Sequence, residues 1–530
     1  MFLSNPKCRI YAARGVSQTP SILLKMRGGE KIMKYTIKDI KDFGAIDAEN
    51  DVDLLMNFYK TDIIGQIEKG EKTIVIGRKG TGKSAIYTYI CNEYKKESVK
   101  LVLNDYPWQL HDKFRNEVVS ERECYVNSWM FLLYIEIAKK IVIDDESIWS
   151  SSEKREIKRL KRWLKRNWGS IDFDYKENLN PKESKTTFSF MPQIMGNGLG
   201  GIAKEISDNS SIGQSLSVYN QKLEKILSRL LGTYNKKIYL AFDQLDLAYS
   251  SDDKGYNNKL IGLLLATYQF YKKFVNVRVV LFLRSDIFNN ITFQDKNKIK
   301  DNLVVFLDWD AGKEEGNLSL KQFIAIRIKN ALKLSSDDFN SCWNAIFDNS
   351  KIGRNQFKWN HIAERTFLRP RDIIKFLNLA IDQANKRIEC NPDSECLIIN
   401  EDINGIKEKY STYLFEELKD EISGKYTDYE RYLEILREIH VLTFTKLDFQ
   451  SKYDIINKRY PLKESCDTVL ERLYEFSIIG FYKPGGGGYG GSEYRFQYTS
   501  DYQRFNQNAS KYKVHLGYKE YLELIEQRNK

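Results

Sequence analysis

The sequence predicts an α/β fold in which helices cover both faces of a parallel β-sheet, and a mostly helical region follows this core. The first observation is a set of short apolar runs, each about as long as a buried strand. They occupy residues 73–76, 99–103, 238–242, 277–283 and 303–307. Runs that are apolar throughout, instead of alternating, are typical of parallel strands buried on both faces. The second observation is helical periodicity between the runs, as over residues 127–142, and through most of the chain after Leu318.

Length and composition indicate a soluble chain of several domains. The chain has 530 residues, which is too many for one ordinary domain, and 42% of them are apolar. No apolar run reaches the roughly 18 residues that a membrane span needs. The seven cysteines are scattered without a C-x-x-C pair and the four histidines lie far apart, so neither a zinc site nor a disulfide framework is expected. These features favour the reducing cytoplasm.

The net charge of +11 is concentrated in two segments. Residues 1–33 carry six Lys/Arg and one Glu, and residues 153–166 carry eight Lys/Arg and two Glu, so the rest of the chain is neutral. An electrostatic partner such as nucleic acid is therefore expected at one of these two places. Residues 1–33 are interpreted as a disordered basic tail, as a transit peptide or as sequence upstream of a start at Met33.

Residues 144–216 are predicted to be an insertion into the α/β core. Their first part, residues 153–168, has the pattern of a basic amphipathic helix, with Ile157, Leu160, Leu164 and Trp168 on one stripe. The cations over residues 154–166 form either a nucleic-acid-binding surface or a solvated helix face. The glycine- and serine-rich segments 195–202 and 208–217 are predicted to be loops.

A phosphate-binding loop is predicted between the first apolar run and a helix expected over residues 84–94. The segment matches G-x-x-x-x-G-K-[ST] and reads Gly77, Arg78, Lys79, Gly80, Thr81, Gly82, Lys83 and Ser84. Its glycines let successive backbone N–H groups point at phosphate oxygens, and the following helix adds its positive dipole end. Lys83 would bridge the β- and γ-phosphates, and the Ser84 hydroxyl would bind Mg²⁺. Arg78 and Lys79 are predicted to be solvated loop charges, with Lys79 also within reach of phosphate.

Two later strands end in charged residues that point to the same site. Asp243 ends an apolar strand, so it should face the P-loop across the top of the sheet and hold Mg²⁺ through water. The alternative for Asp243 is an aspartate that starts a turn. The following strand ends at Arg284, which either senses the γ-phosphate through bidentate hydrogen bonds or forms a surface salt bridge with Asp286.

These residues resemble the AAA-like branch of P-loop ATPases, which includes origin-recognition ATPases and STAND signalling ATPases. More narrowly, the chain resembles a bacterial family of P-loop ATPases over residues 40–525. The resemblance is carried by Phe43-Gly44 with Asp47-Ala48-Glu49, then by GRKGTGKSAI, FDQLD, FLRSDIF, LRPRDIIKFLNLA and VHLGYKEYLEL.

The resemblance implies a five-stranded P-loop NTPase core, a helical lid and a winged-helix-like C-terminal domain. The corresponding boundaries are 1–33 for the tail, 34–317 for the core, 318–405 for the lid and 406–530 for the winged-helix-like domain. Arg284 would be a sensor, and Arg369-Pro370-Arg371 would be a lid motif that touches the nucleotide. Arg371 would reach the phosphates when the lid closes; the alternative is a structural pair with Asp372.

One position departs from the pattern of many AAA ATPases, which place Glu directly after the magnesium-binding aspartate. Here that position is Gln244, and Asp246 follows two residues later. Glutamine can position a water molecule but cannot take its proton. Hydrolysis is therefore expected to be slow, with Asp246 either the base or a structural anchor.

The segment 440–500 has the helix–helix–hairpin order of a winged helix, with a hairpin over residues 478–483 and 493–498. Its candidate recognition helix, residues 463–476, has a net charge of −2, which opposes contact with DNA phosphates. The domain is therefore expected to bind a protein, to self-assemble or to pack against its own ATPase core.

Three functions follow, and each requires ATP and Mg²⁺. The leading hypothesis is a slow ATP-driven conformational switch, for which the resemblance implies a role in prokaryotic defence against phage or plasmids. The second is a nucleic-acid-binding ATPase that uses the basic helix and the tail. The third is an ATP-binding scaffold with negligible turnover.

Overall fold

The computed structural model describes residues 36–103, 108, 111–112, 120–144, 148–173, 212–246, 254–313, 316–423, 425–485, 491–499 and 504–526. The predicted tail, residues 1–33, and the loop predicted over residues 195–202 lie outside this part of the chain. Among the residues described, no helix is both long and apolar enough to cross a membrane.

The core is a five-stranded, all-parallel sheet, which confirms the predicted α/β fold class. Its strands are β1 (Ile74–Gly77), β2 (Ser98–Val102), β3 (Ile238–Asp243), β4 (Val277–Arg284) and β5 (Val304–Phe306). Their spatial order is β2-β3-β4-β1-β5. The three central strands are almost fully buried, as their apolar sequences require. Because all strands run in one direction, the carboxyl ends of β1, β3 and β4 meet at one edge of the sheet.

Helices cover both faces of this sheet. They are α1 (Asp62–Lys69), α2 (Lys83–Glu93), α3 (Glu121–Ile143), α4 (Ser151–Trp168), α5 (Ile212–Thr233), α6 (Lys254–Lys273), α7 (Ser285–Asn290) and α8 (Lys296–Leu303). The long helix α3 is buried along most of its length and packs against α4, α5 and α6. The loop prediction for residues 208–217 is wrong from Ile212 onward, because α5 buries a helical stripe of leucines that outweighs the local serine and glycine content. These leucines are Leu216, Leu223, Leu227 and Leu230.

The region after Leu318 is helical, as predicted. It contains α9 (Leu320–Leu332), α10 (Phe339–Asn344), α11 (Lys358–Ala363), α12 (Pro370–Cys390) and α13 (Asn400–Ile422). Its apolar core continues without a break into the C-terminal elements. The same core also takes in Ile37, Ile40 and Phe43, so a segment that precedes the P-loop in sequence packs with the helices of the lid.

The C-terminal elements have the winged-helix-like order that the sequence predicts. They are α14 (Tyr429–Ile439), β6 (Thr443–Phe444), α15 (Lys446–Arg459), α16 (Cys466–Glu475), β7 (Ile479–Lys483), β8 (Glu493–Arg495) and β9 (Tyr512–Val514). Strand β9, which the sequence pattern did not indicate, inserts between β6 and β7 in an antiparallel sheet. On α16, Arg472 lies 3.3 Å from Glu464 and 3.2 Å from Glu475, so this cation of the candidate recognition helix is neutralised by its neighbours, and Lys463 is the other cation of that segment.

Candidate functional site

The P-loop joins β1 to α2 in the strand–loop–helix order that the motif requires. Gly80 (φ +82°) and Gly82 (φ +93°) adopt left-handed backbone conformations, which glycine reaches without strain. At Gly77, a Cβ atom would overlap the Thr81 hydroxyl, so the loop can close on itself only with glycine there. The chain therefore curls at the N-terminus of α2, where backbone N–H groups and the helix dipole favour an anion.

Lys83 and Thr81 hold the loop in this shape. The Lys83 ammonium donates hydrogen bonds to the carbonyl oxygens of Gly77 and Arg78, each at 2.9 Å. The Thr81 hydroxyl donates to the Arg78 carbonyl at 2.8 Å, and the Trp309 indole N–H donates to the Thr81 carbonyl at 2.9 Å. Burial lowers the pKa of Lys83 to about 8, since the charged form loses hydration. The ammonium is thus a desolvated cation at the centre of an anion-binding loop.

Asp243 lies next to Ser84, although the two are 159 positions apart in the chain. The Asp243 side chain is only 5% exposed, and burial raises its pKa, while hydrogen bonds from the Gln244 backbone and the Ser84 side chain act in the opposite direction. Mg²⁺ prefers oxygen ligands, usually one or two carboxylates together with phosphate and water. A carboxylate and a hydroxyl at the mouth of a P-loop are a donor set that fits this ion.

Strand β4 lies between β1 and β3, and it brings Arg284 into register with Gly77. The Arg284 guanidinium donates to Asp286 at 3.0 and 2.9 Å and lies 3.7 Å from Asp246. The predicted contact with Asp286 is therefore present. Arg284 is only 23% exposed, so the ion pair sits at the edge of the site and is not a simple surface salt bridge.

Gln244 and Asp246 both face the space above the P-loop. Gln244 adopts a left-handed conformation (φ 58°), and its Oε1 atom is buried without a hydrogen-bond partner among the described residues. A buried amide oxygen without a partner is costly, and such an atom can accept a hydrogen bond from a water or ligand. Asp246 lies close enough to Lys83 that its charge opposes the lowering of the Lys83 pKa.

A cavity of about 410 Å³ lies between the P-loop and the lid. The polar part of its lining includes Lys83, Ser84, Asp243, Gln244 and Arg284. The apolar part of its lining includes Leu54, Phe58, Trp309, Phe323 and Ile374. Pro370 and Arg371, expected in the lid motif, line the same cavity. The cavity thus offers cations that suit phosphates and apolar side chains that suit a planar ring.

Arg78 and Lys79 are half-buried and are bound by later parts of the chain. Lys79 also lines the cavity, whereas Arg78 does not. Arg78 donates to the carbonyl oxygen of Phe367 at 2.7 Å and lies 5.4 Å from the ring centre of Tyr498. Lys79 lies 3.4 Å from Glu417. The prediction that these two cations are solvated is wrong, because the lid and the C-terminal elements fold back onto the loop.

Two arginines of the lid motif contact the backbone of the P-loop: Arg369, which does not line the cavity, and Arg371, which does. Arg369 donates to the carbonyl oxygen of Lys79 at 3.0 Å and forms a buried ion pair with Asp372 at 2.9 Å. The Arg371 backbone N–H lies 3.4 Å from the Gly80 carbonyl, and its guanidinium bonds Asp47 at 2.6 Å and Glu417 at 3.0 Å. The alternative prediction, an ion pair between Arg371 and Asp372, is therefore wrong, because the Asp372 carboxylate is bound by Arg369.

Several residues at this site were missed by the sequence reasoning. Asp47 and Glu49 occur in a motif that was noticed but given no role, and both line the cavity. Arg369 was noticed only as a neighbour of Arg371. Glu417 had no local sequence signal, because its partners Lys79 and Arg371 are distant in the chain.

Comparisons with known proteins give three findings. The model of a family described as "FunZ-associated C-terminal helical domain" matches residues 318–419. A protein of Escherichia coli strain K12, described as "Putative transposon gamma-delta 80.3 kDa protein", is 27% identical in an alignment of 467 residues that covers 83% of this chain. The chain spans 61% of that relative's length. The crystal structure of Cdc6p from Pyrobaculum aerophilum aligns over 87% of this chain and 90% of that one, at 13% identity and a TM-score of 0.27, which is too low a likeness to support an argument.

The P-loop, the acid at the end of β3 and the parallel sheet together support an ATPase-like protein. The matched helical domain covers the lid helices that contact the P-loop. This chain is therefore similar to proteins in which a FunZ-associated helical domain occurs.

Proposed function

We propose that this protein binds Mg·ATP in the cavity above the P-loop, hydrolyses it slowly and uses it as a conformational switch. One observation carries the proposal. Part of the P-loop faces the cavity, and the same short loop is bound at the Lys79 and Gly80 carbonyl oxygens by Arg369 and Arg371 of the lid. A ligand that reshapes the loop must therefore disturb these contacts with the lid.

The proposed binding mode uses groups that already line the cavity. Lys83 exchanges its two carbonyl partners for oxygens of the β- and γ-phosphates, which are stronger acceptors because they are charged. Ser84 and Asp243 hold Mg²⁺, which neutralises phosphate charge when it is bound. The apolar part of the lining accepts the base, with Trp309 and Phe323 among the rings available for stacking.

Arg284 is the proposed sensor of the γ-phosphate. Its guanidinium is held by Asp286 through two hydrogen bonds, whereas its contact with Asp246 is longer, at 3.7 Å. A γ-phosphate oxygen can compete for the side of the guanidinium that faces Asp246. When the γ-phosphate is lost, Arg284 pairs with Asp246 again. The pairing of charges at the end of β4 therefore depends on whether the γ-phosphate is present.

Arg371 is the proposed link to the lid. It already contacts the Gly80 carbonyl and anchors Asp47 and Glu417, so any movement of the loop reaches α12 and α13 directly. The C-terminal elements take part through Tyr498, which lies over the Arg78 guanidinium. We therefore propose that the winged-helix-like domain acts on its own ATPase core and presents a protein-binding surface when released.

The test combines binding, turnover and stability in one protein sample. We expect saturable Mg·ATP binding, measurable but slow phosphate release, and a larger gain in thermal stability from ATP than from ADP. All three should disappear in Lys83→Ala and persist in Lys69→Ala, which changes an exposed lysine of α1. Binding without phosphate release would favour the scaffold hypothesis, and absence of binding would refute the proposal.

A second candidate function, nucleic-acid binding, is favoured by the surface of α4. Seven cations of this helix are exposed and form no ion pair with any residue that the structure describes. They are Lys154, Arg155, Lys158, Arg159, Arg162, Lys165 and Arg166. Both acids of the helix are engaged elsewhere, Glu153 in the N-terminal cap and Glu156 with Arg229. Like charges four residues apart destabilise a helix by about 0.2–0.5 kcal/mol per pair, and a polyanion would relieve this repulsion.

The nucleic-acid candidate is tested by salt dependence. Replacing Lys158, Arg159, Arg162 and Lys165 by glutamine should weaken binding to duplex DNA. If all four contact phosphates, the slope of log affinity against log salt should become shallower by about 3.6. The matched control replaces four exposed lysines elsewhere, Lys386, Lys409, Lys419 and Lys458, and removes the same charge. Equal effects of the two sets would mean that only net charge matters and that α4 is a solvated face.

The proposed setting is the cytoplasm, where ATP is available, in the biology of mobile genetic elements. The resemblance implies defence against phage or plasmids, and one relative is described as a putative transposon protein. Phage plating and plasmid transformation in cells that carry wild-type protein or Lys83→Ala test this setting. Equal efficiencies in both strains would argue against it.

A further inference from the structure

The proposed ATPase site needs a carboxylate that Gln244 cannot supply. Five carboxylates line the cavity: Asp47, Glu49, Asp51, Asp243 and Asp246. Asp47 is paired with Arg371 at 2.6 Å, Asp51 with Arg327 at 3.0 Å, and Asp246 lies 3.7 Å from Arg284. Asp243 lies beside Ser84 in the candidate metal position. Glu49 alone forms no hydrogen bond or ion pair with the residues that the structure describes.

We propose that Glu49 is the carboxylate that accepts the proton of the attacking water, while the amide oxygen of Gln244 orients that water. The inference rests on the proposed ATPase function. In many AAA ATPases a single glutamate orients the attacking water and accepts its proton. In the proposed site these two roles belong to Gln244 and Glu49. The unpartnered Oε1 atom of Gln244 supplies the acceptor that orients the water, and Glu49 supplies the missing base.

Glu49 lies in the cavity that holds the proposed ATP site. It lines the same cavity as Lys83, Ser84 and Gln244. Its near neighbour Asp47 is bonded to Arg371, and Arg371 contacts the backbone of the P-loop. Glu49 is exposed on the segment itself, so it can take up a proton and return it to solvent.

The segment that carries Glu49 is bound to the lid on both sides of this residue. On one side, the Asn378 side chain accepts from the Phe43 N–H at 2.8 Å and donates to the Gly44 carbonyl at 3.0 Å. Closer to Glu49, Asp47 is held by Arg371, and on the other side Asp51 is held by the buried Arg327. Glu49 therefore moves with the lid, so the site is complete only when the lid lies against the P-loop.

The step is an in-line displacement. The water oxygen forms a bond to the γ-phosphorus while the bond from that phosphorus to the β,γ-bridging oxygen breaks, and ADP leaves with the electron pair. The proton lost by the water passes to the Glu49 carboxylate and from there to solvent. No other reactant is needed.

The test compares Glu49→Gln with Asp53→Asn, which removes a negative charge from an exposed position of the same segment that does not line the cavity. Loss of a general base typically costs about 100-fold or more in rate, so Glu49→Gln should lower kcat by that factor and leave the Kd for ATP within about 2-fold. Asp53→Asn should change neither. In the double variant Glu49→Gln/Gln244→Glu, the restored glutamate should recover most of the lost turnover.

A second readout does not depend on turnover. The complex of Mg·ADP with tetrafluoroaluminate imitates the transferring phosphoryl group with its attacking water, so Glu49→Gln should weaken the binding of tetrafluoroaluminate while ADP binds normally. Unchanged turnover and unchanged tetrafluoroaluminate binding would overturn the proposal. So would a parallel loss of ATP affinity, which would mean that Glu49 supports the fold of the segment. Absence of ATP binding in the wild type would instead refute the proposed function itself.

Discussion

The two ends of the P-loop both carry cations, but the partners of these cations differ. At the end that begins α2, Lys83 and Ser84 face the cavity, and their proposed partners are phosphate and metal. At the end that follows β1, Arg78 and Lys79 are bound by Phe367, Tyr498 and Glu417. The difference teaches that a phosphate-binding loop can also connect the ligand to the lid. A change of ligand at one end of the loop can alter the contacts that the lid makes at the other end.

The largest effect should come from the two lysines of the loop. Lys83→Ala removes the ammonium group that is proposed to bond oxygens of the β- and γ-phosphates. A hydrogen bond to a charged group is worth about 1.5–3 kcal/mol, so the loss of two should weaken ATP binding by at least about 100-fold. Lys79→Ala removes the ion pairs with Glu417 at 3.4 Å and Asp420 at 3.8 Å, neither of which is a proposed phosphate contact, and should weaken binding by less than about 10-fold. Calorimetric titration with ATP measures both, and equal losses would erase the distinction between the two ends of the loop.

Asp243→Asn should produce the next largest effect, and only in the presence of Mg²⁺. The amide keeps the size of the side chain but loses the negative charge that a divalent cation requires. We expect Mg·ATP affinity to fall by about 30-fold, equivalent to about 2 kcal/mol, while ATP affinity in EDTA stays the same. An equal loss with and without Mg²⁺ would indicate that Asp243 supports the strand end and does not bind the metal.

A matched pair of glycine substitutions separates loop strain from lid contact. Both Gly80 and Gly82 have positive φ, so alanine at either position costs about 1–2 kcal/mol of strain. At Gly80 the new Cβ would lie 3.1 Å from Arg371 Cβ, whereas at Gly82 it meets no atom within 4 Å. Gly80→Ala should therefore also loosen the lid, seen as faster amide exchange in α12. Equal exchange in the two variants would remove the proposed role of Arg371 as the link.

The smallest effects should come from the residues after β3. Gln244→Glu adds a base beside the water position and should raise basal turnover by a few-fold at most or leave it unchanged. Asp246→Asn removes a partner of Arg284 and should lower turnover. Phosphate release at saturating ATP measures both. A fall of about 100-fold in Gln244→Glu, roughly 2.7 kcal/mol of barrier, would mean that the amide itself is essential.

The parts of the fold and site that the sequence predicts are those encoded locally. Each apolar run predicts its strand, and the glycine pattern predicts the left-handed turns at Gly80 and Gly82. Because parallel strands end at a common edge, the position of Asp243 at a strand end predicts that it faces the P-loop, and a hydrogen bond joins Asp243 to Ser84 in the structure. Local pattern and tertiary structure agree at these positions.

The remaining contacts depend on pairings between distant segments. Asp47 meets Arg371 across 324 positions, and Arg78 meets Phe367 across 289. No periodicity or motif specifies which of many arginines a given carboxylate will bind, so Arg369, and not Arg371, proved to be the partner of Asp372. Strand β9 was missed for a similar reason, since three residues completing a distant sheet leave little pattern.

The most direct test of the switch is the distance between core and lid in different nucleotide states. One label is placed on α1 through Lys69→Cys, and the other on Cys390, an exposed free thiol at the end of α12. Cys8 and Cys396 are replaced by serine so that they do not take up label. We predict that the distance distribution differs between Mg·ATP and Mg·ADP, and that Lys83→Ala abolishes the difference. Identical distributions in a protein shown to bind both nucleotides would contradict the account.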